Sequence, residues 1–253
     1  MMTILLTNDD GYAAPGLIAA RNYLSKYYRV VTVAPDRDRS GASHSLTVTR
    51  PLRVKKIDKD YYAVDGTPTD AVMIAVYCLL KKKPDMVVSG INSGANMGED
   101  VTYSGTVAAA VEGSLFAIPS IAVSLTGTGR LNHARPKDFI KAARFTHKVV
   151  KQVERKGLPE GLLLNINVPV GQDVNIGKYA ITRLGKRVYD DVITEKIDPR
   201  GEHYYWIAGR VRITGKEPDT DYGAVEKKLI SVTPLEVDIT AFGFIEKLKD
   251  WRI

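Results

Sequence analysis

Two adjacent carboxylates, Asp9 and Asp10, follow the first short apolar run of this 253-residue chain. Neighbouring carboxylates repel each other unless a cation neutralises their charge, and hard oxygen ligands of this kind suit Mg²⁺, Mn²⁺ or Ca²⁺. A polar turn in which Asp10 caps the next helix would produce the same pattern. The pair alone therefore leaves a metal site and a turn as alternatives.

A second polar segment follows the next apolar run and contains Arg37, Arg39, Ser40 and His44. The Ser40 hydroxyl can bind a metal or a phosphate, and the arginines can neutralise phosphate charge. His44 can act as a general acid at a leaving oxygen. For the two arginines we favour a simpler interpretation, a surface loop in which they pair with neighbouring aspartates.

A glycine-rich segment at 89–98 follows another apolar run, and Ser104-Gly105-Thr106 opens the next predicted helix. Glycines let backbone N–H groups approach an anion closely, and the start of a helix adds a favourable dipole. Asn92 can complete a metal shell through its amide oxygen, and the helix start can hold a phosphate. A merely flexible loop would not need so many donors, so this segment favours a binding function.

The pattern of the first two-thirds of the chain predicts how these segments meet. Short apolar runs alternate with amphipathic stretches, which indicates βαβ units and a parallel sheet covered on both faces. We therefore predict an α/β, Rossmann-like doubly wound sheet, in which ligands bind at the carboxyl ends of the strands. A hairpin is predicted beside this sheet at 50–64. The predicted strands are 3–7, 30–34, 86–88, 121–123 and 162–168, and the predicted helices are 15–27, 68–80, 106–116 and 139–153.

The pattern changes after Pro169. Polar turns separate predicted strands at 183–194, 204–213 and 229–232, and a helix is predicted at 241–251. This region has few apolar residues with which to form a core of its own. We predict a catalytic core at 1–170 and a β-rich appendage at 171–253 that packs against the core or against another subunit.

Composition and missing motifs narrow the function classes. The formal net charge is +7, which fits anionic ligands, although we interpret Lys81-Lys82-Lys83 as a solvated helix end. No apolar run approaches the ~20 residues that span a membrane, and the chain opens on a strand without a signal peptide, so we expect a cytoplasmic protein. The sequence has no P-loop, no complete dinucleotide-binding fingerprint at 127–132 and no zinc-ligand spacing.

The remaining reactive side chains have structural interpretations. Cys78 is the only cysteine, so no intrachain disulfide can form, and its apolar neighbours predict a buried, inert thiol. His133, His147 and His203 lack ligand-like neighbours, and we interpret them as surface or packing residues.

Taken in order, these segments resemble the SurE family, the survival-protein E nucleotidases. The resemblance implies a metal-dependent phosphohydrolase that acts on nucleoside 5′-monophosphates, with some members also cleaving 3′-nucleotides and short polyphosphate. It runs through almost the whole chain. The matching segments are 4–11, 33–41, 44–47, 66–70, 88–98, 103–107, 165–169, 204–206 and 231–235.

The resemblance also implies the residues of the site. One divalent ion per subunit, Mg²⁺ or Mn²⁺ with Ca²⁺ as a further possible occupant, would be bound by Asp9, Asp10, Ser40 and Asn92. The phosphate would be bound by Asn96, Ser104, Gly105 and Thr106, and we also assign Asn8, Ser40 and Gly41 to substrate binding. His44 joins the two aspartates as a predicted catalytic residue.

The same resemblance implies homodimers, often paired into tetramers, with the C-terminal part exchanged between subunits. We expect no membrane association and no stable nucleic-acid partner. Two other functions are compatible with these residues: a module that senses nucleotides without turnover, and a glycosyltransferase whose metal motif is Asp36-Arg37-Asp38. The full metal set and His44 favour hydrolysis over nucleotide sensing, and we rank the glycosyltransferase last because a match of three residues is weak evidence.

Overall fold

A computed structural model of the protein describes residues 1–127, 134–171, 173–190, 193–207 and 210–251. A 3₁₀ turn at Gly98–Thr102 and a π-helical turn at Ala75–Leu79 accompany the regular helices. The helices are α1 (Pro15–Leu24), α2 (Pro68–Ile74), α3 (Gly105–Leu115), α4 (Pro136–Lys156), α5 (Asp221–Glu226) and α6 (Phe242–Lys249). The strands are β1 (Thr3–Thr7), β2 (Arg29–Pro35), β3 (Val54–Asp58), β4 (Tyr61–Val64), β5 (Met86–Ser93), β6 (Ser120–Thr126), β7 (Leu162–Pro169), β8 (Tyr179–Ile181), β9 (Arg187–Asp190), β10 (Ile193–Ile197), β11 (His203–Ile207), β12 (Arg210–Ile213) and β13 (Ile230–Glu236).

Nine of these strands form one mixed sheet in the order β3-β4-β2-β1-β5-β6-β7-β13-β8. The six strands from β4 to β7 run parallel to one another. β3 pairs antiparallel with β4, so the predicted hairpin forms one edge of the main sheet. β13 pairs antiparallel with β7 and carries β8 on its outer side.

Helices cover both faces of the parallel strands. α1 contacts α4 on one face, and α2 contacts α3 on the other. Successive side chains of β1 pack on opposite faces of the sheet, since Ile4 belongs to one apolar cluster and Leu5 to the other. Each fully buried Leu or Ile of this kind contributes about 1.5–3 kcal/mol. The predicted doubly wound α/β architecture is therefore confirmed.

The strand order reverses direction beside β1. The chain passes from β1 through α1 to β2 on one side, and later returns through α2 to β5 on the other side. This reversal leaves a crevice at the carboxyl ends of β1 and β5, where ligands bind in open sheets of this type.

The chain beyond residue 170 contributes to more than one part of the molecule. β13 completes the main sheet, with Ser231 opposite Asn167 of β7. β9 pairs with β12, and β10 pairs with β11, as two separate antiparallel ladders. The predicted strands at 183–194 and 204–213 are thus each divided in two, and 191–192 and 208–209 lie outside the described residues. The division into a core and an exchanged appendage stays a prediction.

Two local predictions are wrong. Cys78 is exposed rather than buried, because the wider π-helical turn at Ala75–Leu79 replaces the last turn of the predicted helix and changes which residues face the core. Asn92 lies within β5 rather than in a loop after it, since that strand continues to Ser93. The glycine segment at 128–132 and His133 lie outside the described residues.

Other interpretations of polar residues agree with the structure. Lys81, Lys82 and Lys83 are exposed, as expected for a solvated helix end. His147 stacks on Tyr27 with ring centroids 4.0 Å apart, which is a packing role. His203 is exposed and pairs with Glu195 at 2.6 Å.

No helix within the described ranges is long and apolar enough to cross a membrane.

Candidate active site at the carboxyl ends of β1 and β5

Asp9 lies two residues beyond the end of β1 and is only 3% exposed. Its Oδ1 accepts a hydrogen bond from the Thr106 hydroxyl at the start of α3. Burial raises the pKa of Asp9 above its ordinary value, and the hydrogen bond from Thr106 offsets part of that rise. The α3 backbone lies against this carboxylate, since a Cβ on Gly105 would come within 2.8 Å of the Asp9 Cβ.

Asp10 is half-buried beside Asp9 and connects β1 to β5. Its Oδ2 accepts a hydrogen bond from the Ser93 backbone N–H at 3.0 Å. Burial, together with the adjacent charge of Asp9, raises the pKa of Asp10 to about 6. Asp10 does not cap the next helix, because α1 begins after Ala14 and has no side-chain cap. The pair therefore has no capping role to explain it, and its charges repel each other.

Ser40 is brought to the aspartates by the loop that follows β2. The Arg39 backbone N–H donates to the Asp9 carbonyl oxygen at 2.8 Å, which fixes the loop beside β1. The Ser40 hydroxyl donates to Asp38 Oδ1 at 2.6 Å, so its oxygen keeps lone pairs for a further ligand.

The arginines of this loop are ion-paired. Arg37 and Arg39 lie 3.8 Å and 3.5 Å from Asp36 Oδ1. The interpretation of these arginines as members of a loop with Asp–Arg pairs is thus supported by the geometry.

Asn92 approaches from the end of β5. Its Nδ2 donates to the Gly94 carbonyl at 2.9 Å, which leaves its Oδ1 as the atom available to a cation. The register of β5 against β6 shifts between Ser89 and Asn92. Gly90 makes this path possible, because a Cβ there would lie 2.3 Å from the Val123 carbonyl oxygen.

These oxygens fit a hard divalent cation. Two carboxylates, a hydroxyl and an amide oxygen are the ligand types that Mg²⁺, Mn²⁺ and Ca²⁺ accept. The neighbouring Asn8 Oδ1 is buried and has no hydrogen-bond partner in the structure, as expected where a ligand completes the polar contacts. Within the described part of the chain, no group of three or more His, Cys, Asp or Glu could hold a metal. A cation here would therefore depend on Ser40 and Asn92 as well as on the aspartates.

The start of α3 faces the same crevice. Ser104 is the N-cap, and its Oγ accepts from the Val107 N–H at 3.1 Å. The first N–H groups of a helix lack intrahelical partners and attract anions. The Thr106 hydroxyl donates to Asp9, and a Cβ on Gly105 would meet the same side chain, so this helix start lies beside the carboxylates.

The other predicted phosphate ligands differ in how firmly they are held. Asn96 is 6% exposed, and its Nδ2 donates to Ser124 Oγ at 2.8 Å. Asn8 lies next to Asp9, and its Nδ2 donates to the Gly11 carbonyl at 2.9 Å. Gly41 has a positive φ of 76° and open space where a Cβ would be. Their roles in binding phosphate stay predictions.

His44 is positioned by a buried acid that the motifs did not indicate. Its Nε2 lies 2.8 Å from Glu112 Oε2. Glu112 is seven residues beyond Gly105 on α3, or about 10 Å along the helix axis at 1.5 Å per residue. The imidazole is thus held along the side of α3, and its role as a proton donor stays a prediction.

Comparison with known proteins identifies the family of this chain. Residues 4–191 match the family described as survival protein SurE. The chain belongs to the SurE family. It is 48% identical over 253 residues to the 5′-nucleotidase SurE of Geotalea daltonii, covering all of both chains. It is 46% identical to the 5′-nucleotidase SurE of Moorella thermoacetica over 252 residues, covering 98% of this chain and 95% of that one.

A solved structure agrees with the fold. The crystal structure of the SurE protein from Aquifex aeolicus matches with a TM-score of 0.85 and 46% identity, covering 98% of each chain. The family leaves no support for a glycosyltransferase. In this SurE chain Asp38 binds the Ser40 N–H and hydroxyl at 2.8 and 2.6 Å, and Asp36 pairs with arginines.

The sequence did not lead us to predict the polar residues that hold the predicted ligands of this SurE chain. Glu112 holds His44, while Asn165 and Asn167 hold Asn96. A signal was present in each case, because these polar residues interrupt apolar stretches of a helix and a strand. A buried polar side chain in such a position needs a partner.

Proposed function

We propose that this chain is a divalent-metal-dependent phosphohydrolase that removes phosphate from nucleoside 5′-monophosphates. The observation that carries the proposal is the hydrogen bond from the Thr106 hydroxyl, at the start of α3, to the buried Asp9 carboxylate, which leaves no room for a Cβ at Gly105. A cation bound at Asp9 would therefore lie beside an anion bound at the start of α3, at the reversal point of the sheet. Relatives of full length that carry the name 5′-nucleotidase SurE supply the substrate class.

Each group would have a distinct task. Asp9, Asp10, Ser40 and Asn92 would hold Mg²⁺ or Mn²⁺, one per subunit. A divalent cation bound there would polarise a phosphoryl oxygen and lower the pKa of a water molecule. The N–H groups at the start of α3, together with Asn96, Asn8 and Gly41, would bind the phosphoryl oxygens and stabilise the charge that develops on them.

The test is release of inorganic phosphate from AMP and other 5′-monophosphates, with 3′-monophosphates and short polyphosphate in the same screen. We expect EDTA to abolish release and Mg²⁺ or Mn²⁺ to restore it, with Ca²⁺ compared as an alternative occupant. Asp9→Asn should reduce kcat by orders of magnitude while the protein stays folded. Asp36→Asn, which removes an exposed carboxylate of the adjacent loop, is the matched control and should retain activity.

Undiminished turnover in EDTA would contradict the metal-dependent mechanism. Calorimetric binding of AMP without phosphate release over hours would instead identify a nucleotide-sensing module.

We also propose that the chain forms homodimers, with tetramers built from them. The apolar residues of the β10–β11 ladder and α6 support an exchanged C-terminal part, because they are exposed in the single chain. Mass measurement by light scattering tests this proposal, and a monomer at micromolar concentration would contradict it. A cytoplasmic location stays a prediction from the sequence. The exposed apolar residues in these elements and directly after α6 are Ile193, Ile197, Tyr204, Tyr205, Trp206, Ile207, Phe242, Phe244, Ile245, Leu248 and Trp251.

A further inference from the structure

The loop that carries Asn96 is fixed on its backbone by residues from the far C-terminal part of the chain. The Gly98 N–H donates to Asp221 Oδ2 at 2.8 Å, and the Tyr222 hydroxyl donates to the Met97 carbonyl at 3.1 Å. These contacts join residues more than 120 positions apart. They lie directly after Asn96, at the start of the Gly98–Thr102 turn that leads to Ser104.

Asp221 has the properties of a structural acceptor for this loop. It is fully buried and accepts three backbone hydrogen bonds, from Gly98 at 2.8 Å, Gly185 at 2.9 Å and Tyr222 at 2.8 Å. Burial raises its pKa, and the three N–H donors act in the opposite direction. An amide could not replace this carboxylate, because one of its two atoms would present N–H groups to a donor.

Gly98 fits closely against the same residues. Its φ is +54°, and a Cβ would come within 2.8 Å of the Tyr222 ring and 2.9 Å of the Gly185 carbonyl oxygen. A side chain at this position would therefore separate the loop from Asp221. Arg187 adds a second attachment, since its backbone N–H donates to Glu99 Oε2 at 2.8 Å and its guanidinium pairs with Asp100.

Asn96 itself is held from the opposite direction by the sheet. Asn165 and Asn167 on β7 both donate to the Asn96 carbonyl at 2.8 Å. Asn167 Oδ1 also accepts from the Asn96 N–H at 3.0 Å. The loop therefore has hydrogen bonds to β7 at Asn96 and to Asp221 and Tyr222 at the next two residues.

We propose that Asp221 is a positioning residue of the phosphate site, acting through Gly98 to fix Asn96 and the turn that leads to Ser104. The proposal rests on the phosphohydrolase function given above. It gives part of the 171–253 region a role in this subunit's own active site, in addition to any role in assembly.

The decisive comparison is Asp221→Asn against Asp219→Asn. Asp219 lies two residues away, carries the same charge and makes an exposed ion pair with Arg183 at 2.8 Å, so it controls for charge and location. Hydrogen bonds to a charged group are among the stronger ones. We therefore expect Asp221→Asn to raise KM for AMP and the inhibition constant of inorganic phosphate about 10-fold or more. The affinity for Mn²⁺ should be unchanged, because none of its proposed ligands contacts Asp221.

A loss of stability alone would not produce that separation between phosphate and metal affinity. Hydrogen exchange measured by mass spectrometry supplies a readout that needs no turnover. We expect peptides covering 94–104 to exchange faster in Asp221→Asn and at the wild-type rate in Asp219→Asn. Unchanged exchange in these peptides, or an unchanged phosphate inhibition constant, would overturn the proposal.

Tyr222→Phe keeps the test valid if Asp221→Asn does not fold. This variant removes the hydroxyl donor to Met97 and retains the ring against Gly98, so a KM increase of about 3-fold is expected. An unchanged KM in a folded Tyr222→Phe would count against positioning. Failure of the wild-type enzyme to release phosphate from any nucleotide would refute the proposed function instead, whereas exchange and calorimetric binding of inorganic phosphate would still test the loop.

Discussion

Replacing Asp10 by Asn should stabilise the metal-free protein while it removes metal-dependent activity. Asp10 is held beside the buried Asp9 carboxylate, and its Oδ2 accepts only one backbone hydrogen bond, from Ser93, in the described structure. An asparagine can keep that bond through its Oδ1 and carries no charge. The substitution therefore removes an electrostatic cost and retains the contact with β5.

The magnitude follows from the pKa of Asp10, which is raised from 3.8 to about 6. Each pKa unit corresponds to about 1.4 kcal/mol, so ionised Asp10 costs the folded metal-free protein about 3 kcal/mol above pH 6. The sign follows from proton binding. Between pH 3.8 and about 6 the folded state binds more protons at Asp10 than the unfolded state does, so stability falls as pH rises. The gain from Asp10→Asn should thus be about 3 kcal/mol at pH 8 and about 0.5 kcal/mol at pH 4.

The assay is thermal or urea unfolding in EDTA at pH 8, 5 and 4. For a chain of this size, about 3 kcal/mol corresponds to a Tm increase of about 6 to 12 °C. Added Mg²⁺ should raise the Tm of the wild type and leave the Tm of Asp10→Asn unchanged. Asp36→Asn, an exposed carboxylate of the neighbouring loop, controls for net charge and should change stability by less than about 1 kcal/mol. A Tm that does not rise, or a gain of equal size at pH 4 and pH 8, would refute the reasoning.

Substitutions at three further positions test other parts of the site and fold. Thr106→Val removes the donor to the buried Asp9 carboxylate and should lower kcat/KM by about 10-fold or more. Thr106→Ser should restore most of the activity, and equal rates in the two variants would contradict this role. His44→Ala should alter the basic limb of the pH–rate profile, whereas an unchanged profile would exclude His44 as the proton donor. Cys78 is exposed, so it should react with a thiol reagent in the native protein, and Cys78→Ser should change stability by less than about 0.5 kcal/mol. A thiol that reacts only in denaturant would show that it is buried.

Local signals explain the parts that the sequence predicted well. The start of α2 is indicated in the sequence by Thr67, Pro68 and Asp70. The structure contains the corresponding capping box, in which Thr67 and Asp70 hydrogen-bond to each other's backbone N–H. The carboxylates Asp9 and Asp10 follow a strand whose apolar residues are buried on both faces. In a parallel sheet, residues that follow successive strands arrive at one edge, so their order in the sequence was sufficient to bring three segments together.

Non-local contacts explain what the sequence could not provide. The pairing of β13 with β7 and the path of β5 through Asn92 depend on neighbouring strands rather than on local pattern. The exposure of Cys78 depends on the change from an α-helix to a π-helical turn after Ile74. None of these features has a signal within a window of about 15 residues, over which hydrophobic periodicity is read.

The ligands of the site and the residues that position them therefore differ in how they can be found. A ligand after a parallel strand has a place fixed by the topology, and its chemistry is visible in the sequence. A positioning residue such as Asp221 has neither property, because its partner Gly98 is 123 positions away. Its only signal is physical: a carboxylate that is fully buried must have partners that compensate its desolvation. In this chain those partners are backbone N–H groups, including that of Gly98. The buried carboxylate therefore connects the C-terminal region to the loop that carries Asn96, a proposed phosphate ligand.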